Sequence, residues 1–136
     1  MRSRVAASVG LLLAVAVVAC GERARGGTAG ITVRDIELGR SIKSDLSIET
    51  PTDEFRATDV IYASIATSGS GPATLTARWL FEGDQVVTET SQTVSPTGPA
   101  RTEFHLSRPT GLPAGRYRLE ILLNGVLAGT EEFEVE

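Results

Sequence analysis

From Ile31 to Glu136 apolar side chains recur at every second position more often than at every third or fourth. Turn-forming residues interrupt them about every ten positions, which is the rhythm of half-buried strands in an antiparallel sandwich or barrel. No stretch carries the spacing of an amphipathic helix. Residues 31–36 open the series as a first strand. Residues 59–67, DVIYASIAT, are rich in β-branched side chains and stop at the turn cluster of 68–72, SGSGP. Residues 73–82 alternate, with Leu75, Ala77, Trp79 and Phe81 on one face and Thr74, Thr76, Arg78 and Leu80 on the other.

The polar, threonine-rich run 85–94 suits a sheet edge or a solvated face, and 95–100, with Pro96, Gly98 and Pro99, reads as a loop. Residues 101–106 alternate again, separating Thr102, Phe104 and Leu106 from Glu103 and His105. Residues 116–123 set Tyr117, Leu119, Ile121 and Leu123 against Arg116, Arg118 and Glu120. Asn124-Gly125 is a two-residue hairpin signal joining that strand to 126–135. In the last strand Leu127, Gly129, Glu131, Phe133 and Val135 are expected to share one face, with Glu132, Glu134 and Glu136 on the wet side. The least legible part is 39–58, where a short strand is expected at 46–49. About seven strands in such a length predict an all-β, antiparallel β-sandwich.

The N-terminus follows a different rule. Arg2 and Arg4 precede a largely apolar stretch from Val5 to Val18, too short for a membrane span of roughly 20 residues but of signal-peptide length. Val17-Val18-Ala19-Cys20 resembles the lipobox of bacterial lipoproteins. That resemblance implies that residues 1–19 are removed by cleavage between Ala19 and Cys20. It implies too that the Cys20 thiol receives a diacylglycerol group, with further acylation, such as palmitate, at the new amino terminus. Several chains give durable anchoring where one is marginal. Gly21 rather than Asp at the next position implies, in a Gram-negative cell, the outer membrane facing the periplasm. Residues 21–30, GERARGGTAG, hold four glycines and no hydrophobic periodicity, and read with Cys20 as a lipidated, flexible tether of roughly 15–20 Å.

In the domain at 31–136, Leu112-Pro113-Ala114-Gly115-Arg116-Tyr117 resembles the entry to the sixth strand of immunoglobulin-like and fibronectin type III-like domains. The resemblance implies that the tyrosine hydroxyl closes a corner on the backbone and that Trp79 is the tryptophan such domains bury on their third strand. Cys20 is the chain's one cysteine, so the inter-sheet disulfide of antibody domains is absent and the core must hold the domain. Trp79, Phe81, Tyr117 and Phe133 are accordingly read as core residues.

Charge and chemistry narrow the function. Removing residues 1–19 takes Arg2 and Arg4 from the 13 basic residues, leaving 11 against 17 acidic, a net charge of −6. The remaining arginines are scattered, which argues against nucleic acid as a partner. One histidine, His105, and a lipid-bearing cysteine do not make a metal set, and no motif fixes a serine or thiol beside His105. Asp53-Glu54 with Asp59, and Glu131-Glu132 with Glu134 and Glu136, lack the spacing of a calcium loop. Neither cofactor nor catalytic residue is expected. With the lipobox resemblance, these exclusions leave the expectation of a membrane-anchored envelope protein whose non-enzymatic module contacts another protein. The alternatives are a glycan- or peptidoglycan-binding module using loops 68–72 and 95–101, and a structural spacer.

Overall fold

A computed structural model of the protein describes residues 30–136, so the expected signal segment at 1–19, Cys20 and the expected tether up to residue 29 lie outside the described residues. Eight strands follow in order: β1 (Ile31–Gly39), β2 (Glu54–Phe55), β3 (Ile61–Gly69), β4 (Ala73–Phe81), β5 (Gln85–Val94), β6 (Ala100–Leu106), β7 (Gly115–Leu123) and β8 (Val126–Val135). They form two sheets, β1-β3-β6 and β2-β8-β7-β4-β5. All pairings are antiparallel except the two-residue β2, which runs parallel to β8.

The core lies between the sheets because each central strand sends alternate residues inward. Ile61, Ala63 and Ile65 of β3 meet Leu75, Ala77 and Trp79 of β4 and Leu119 and Ile121 of β7, all fully buried. Asn124 (φ 50°) and Gly125 (φ 84°) form the tight β7–β8 turn, where positive φ at both central positions matches the strand twist. Gly129 lets β8 approach β1, since a Cβ there would stand 2.7 Å from Ile36 Cδ1.

The structure departs from the pattern in four places. No strand forms at 46–49. Leu46 has φ 69° and is exposed, Asp45 accepts from the Ser47 amide at 3.0 Å, and only the bridge Ile42↔Ile48 remains. The short polar side chain of Asp45 offers the backbone a turn in place of a ladder. β2 instead appears just beyond Pro51, burying Phe55. In β8, Ile121 pairs with Gly129 but Leu122 pairs with Leu127, so Ala128 is an extra residue. That bulge turns Leu127 to the outer face, where it is 54% exposed. Finally, Phe81 at the end of β4 is only half-buried, while Leu80, expected outward, is covered beside Arg118 and Val86.

Candidate functional site

The aromatic residues are drawn to one end of the sandwich. Phe133 stacks on Tyr117 (centroids 5.1 Å, 12° between planes) and takes Trp79 and Phe55 edge-on at 5.9 and 5.6 Å. Phe81 joins through Tyr117 at 4.8 Å. Trp79, Tyr117 and Phe133 are thereby buried, so none offers a ring to a ligand. Trp79 Nε1 is buried without a hydrogen-bond partner. The Tyr117 hydroxyl donates to the Pro113 carbonyl at 2.6 Å, and burial pushes its pKa up. One step earlier, the Leu112 amide donates to Ala57 O at 2.8 Å, which ties the β6–β7 connection to the crossover after β2. Arg40 ties down the same crossover. Its guanidinium pairs with Asp59 at 2.9 Å, donates to Glu54 O and lies 5.5 Å from the centre of the Phe55 ring. Asp59 also accepts from the Arg56 amide at 2.8 Å, and these bonds, the Arg56 one foremost, hold its carboxyl below the ordinary range.

The opposite end of the sandwich receives the chain from the N-terminal side. Ile31 pairs with Gly69, which sets Gly30 beside the β3–β4 turn. The two loops singled out in the sequence meet here, through the bridge Ser70↔Thr97 and a 3.0 Å bond from the Gly71 amide to Pro96 O. Asn124 brings the β7–β8 hairpin alongside, its side chain accepting from the Thr74 amide at 2.8 Å. Residues 68–72, 95–100 and 124–128 contain no charged and no aromatic residue, and Val126 and Leu127 are exposed among them.

A cleft of about 710 Å³ opens along the side, between the edge of β1 and the part of β8 beyond β2. Asp35, Glu37, Asp53, Glu131 and Glu132 line it, with Ile36, Leu38 and Pro51 behind and no basic residue. Partial burial raises the Glu131 pKa, and Asp35 and Asp53 add to the shift. The acidic groups are nevertheless spread out: among the described residues no three His, Cys, Asp or Glu side chains stand close enough to share a metal ion. Of the candidate calcium carboxylates, Asp59 is engaged by Arg40, Glu134 faces Arg116 at 3.4 Å, and Glu132 and Glu136 are exposed. His105 is on the surface of β6, with Nδ1 2.6 Å from Glu103 Oε1 and its ring 5.9 Å from that of Tyr62. This cleft was not legible in the sequence because Asp35 and Glu131 lie almost a hundred positions apart, and only the β1–β8 approach at Gly129 brings them together.

Two sheets in the orders β1-β3-β6 and β2-β8-β7-β4-β5, a buried tryptophan on β4 and a tyrosine corner before β7 define an immunoglobulin-like β-sandwich. Solved structures of the same form are known. One is an immunoglobulin-like protein of Pseudomonas aeruginosa, 18% identical, covering 82% of this chain and 100% of that one with a TM-score of 0.51. Another is the alkylpurine DNA glycosylase AlkC of Pseudomonas fluorescens, solved bound to DNA containing an abasic site analog. It is 16% identical, with a TM-score of 0.53, and the match covers 79% of this chain but 31% of the glycosylase. At such identities the likeness is one of fold. No protein-family model matches the chain, and no curated protein matches its sequence.

Proposed function

We propose that the protein is an envelope lipoprotein, cut between Ala19 and Cys20 and anchored by lipid on Cys20, whose immunoglobulin-like domain is a non-enzymatic module for contact with another protein. The observation that carries this reading is the pairing of chain entry with an end whose loops carry few charges. The tether from Cys20 joins the domain at Gly30, beside the uncharged residues 68–72 and 95–100 and the exposed Val126 and Leu127, with Arg34, bonded to Ser68 Oγ at 2.9 Å, and Arg101 as neighbouring charges. Such a surface tolerates a lipid headgroup layer, and anionic lipids would repel a domain that presented its carboxylates there. With that end toward the membrane, the acidic cleft and the β1–β2 crossover face the aqueous compartment. The glycan alternative loses ground on the same geometry, because its two loops sit at the tether end and carry no stacking aromatic.

The test is in-cell photo-crosslinking of the full-length protein from two positions, Glu132 at the cleft and Val126 at the tether end. The reading expects one reproducible protein adduct from Glu132, lost in the Cys20→Ser form, and none from Val126. A protein adduct from Val126 alone, or only abundant envelope proteins from both positions, overturns it.

A further inference from the structure

The large apolar side chains exposed among the described residues lie in three places: Leu46 in the β1–β2 crossover, Val86 at the start of β5, and Val126 with Leu127 at the tip of the β7–β8 hairpin. Single apolar residues on a surface are ordinary and need no occupant. The hairpin tip differs in how it is built. Neighbouring residues of a regular strand point to opposite faces. Val126 and Leu127 are nevertheless both exposed, at 45% and 54%, while the residues they pair with, Leu123 and Leu122, are buried. The tight turn at Asn124-Gly125 and the bulge at Ala128 produce this, the turn by ending the hairpin just before Val126 and the bulge by turning Leu127 outward.

Exposure alone does not choose an occupant, since Val86 is as open, at 52%. Position does. Gly30 lies against Ser70, where an added Cβ would stand 2.5 Å from the carbonyl oxygen, and Asn124 and Thr74 exchange two bonds of 2.8 Å. The chain entry and the hairpin tip therefore flank the same β3–β4 connection. Val86 follows the β4–β5 turn at the other end, the length of a nine-residue strand away, about 30 Å. The ten residues from Gly21 to Gly30 span roughly 15–20 Å on average and about 35 Å when fully extended. A lipid on Cys20 thus holds the hairpin tip near the bilayer, whereas Val86 would reach it only with the tether drawn almost straight along the sandwich. Beside Ser68 and Pro99 the charged groups are Arg34, Arg101 and Asp45, two positive and one negative, which does not repel phosphate headgroups.

We propose that the β7–β8 hairpin tip is a second membrane contact, with Val126 and Leu127 seated in the lipid interface when the domain is anchored; this rests on the lipoprotein reading above. Two half-exposed side chains make a weak contact, and alone they do not hold an acidic domain to a bilayer. The tether makes that contact intramolecular, at an effective concentration on the order of millimolar for a short flexible linker. What the second contact supplies is orientation. A single flexible tether leaves the domain free to tumble, whereas Cys20 and the hairpin together keep the tether end down and the aromatic end, with Val86, in water.

The test uses the full-length protein, purified with its lipid and reconstituted into vesicles of phosphatidylethanolamine and phosphatidylglycerol. Lipid blocks the Cys20 thiol, so Leu127→Cys or Val86→Cys carries the one free thiol for an environment-sensitive fluorophore. Nitroxide-bearing lipids are expected to quench most of the emission from Leu127→Cys and little of that from Val86→Cys. Equal quenching at both positions, or at neither, overturns the proposal and leaves the anchor standing, while a Cys20 without lipid by mass spectrometry overturns both. A second measurement keeps the label off the tip. With the fluorophore on Ser95→Cys, in the neighbouring loop, quenching is expected while the hairpin is intact. Val126→Ser combined with Leu127→Ser should bring it down to the level of Val86→Cys, with Tm preserved because both side chains are exposed. Unchanged quenching in that variant equally overturns the proposal.

Discussion

The Tyr117 hydroxyl donates to the carbonyl of Pro113, four residues earlier, at 2.6 Å. This bond fixes the chain as it enters β7, while the same ring stacks on Phe133 of β8. Tyr117→Phe keeps the ring and deletes the bond, leaving Pro113 O without that partner. The expected loss is about 1 kcal/mol, read as a fall in Tm of roughly 4–8 °C for a domain near this size. An unchanged Tm would mean that the corner contributes geometry but no net stability.

Trp79 is the largest fully buried side chain, in contact with Phe133. Its replacement by alanine should cost about 3–5 kcal/mol, a large share of a typical stability of 5–15 kcal/mol. Chemical denaturation is the measurement, and most of the loss should appear as a lower midpoint.

Asp59 holds the β2–β3 crossover through the Arg56 amide and ties it to Arg40 beyond β1, and its carboxyl titrates below the ordinary value. A depressed folded pKa means that the ionised form favours the fold. The contribution is present at pH values above the unfolded pKa of about 4 and is lost as the pH falls through the lower folded value. Asp59→Asn should therefore be destabilised at pH 7, on the order of 1 kcal/mol, with the gap to the parent protein narrowing in acid. Melting curves from pH 7 down to pH 3 check the sign.

Glu131 behaves in the opposite sense. Its pKa is raised, by burial first and then by Asp35 and Asp53, so the ionised form penalises the fold at pH values above the folded pKa, and the penalty vanishes at pH values below the unfolded one. Glu131→Gln should raise Tm by a few degrees at pH 7 and leave it unchanged at pH 3. The same variant removes the inward charge that guards β8, so increased aggregation on heating is its expected side effect.

Much of this fold can be read along the chain because alternation is a local signal. β3, β4, β6 and β7 are strands wherever apolar residues fall at every second position, and Asn124-Gly125 marks its turn by chemistry alone. The legibility ends where a distant partner decides. Phe55 looks like an isolated apolar residue after Pro51, and it becomes a strand residue only because β8 offers a parallel edge and Phe133 a ring. Leu127 has the parity of a core residue until the extra residue at Ala128 reverses it, and the one local signal of that bulge is Gly129 inside the strand pattern. The acidic cleft was hidden for the same reason, since its carboxylates belong to β1, the crossover and β8.

Membrane fractionation of cells expressing the full-length protein beside its Cys20→Ser form tests whether lipid on Cys20 is the anchor. With a lipid anchor on Cys20, the parent protein sediments with membranes and resists extraction by high salt, while the Cys20→Ser form loses its lipid and the processing that depends on it, and shows no lipid-modified mature species by mass spectrometry. A mature protein beginning elsewhere than Cys20, or carrying no lipid on it, rules out the lipoprotein anchor.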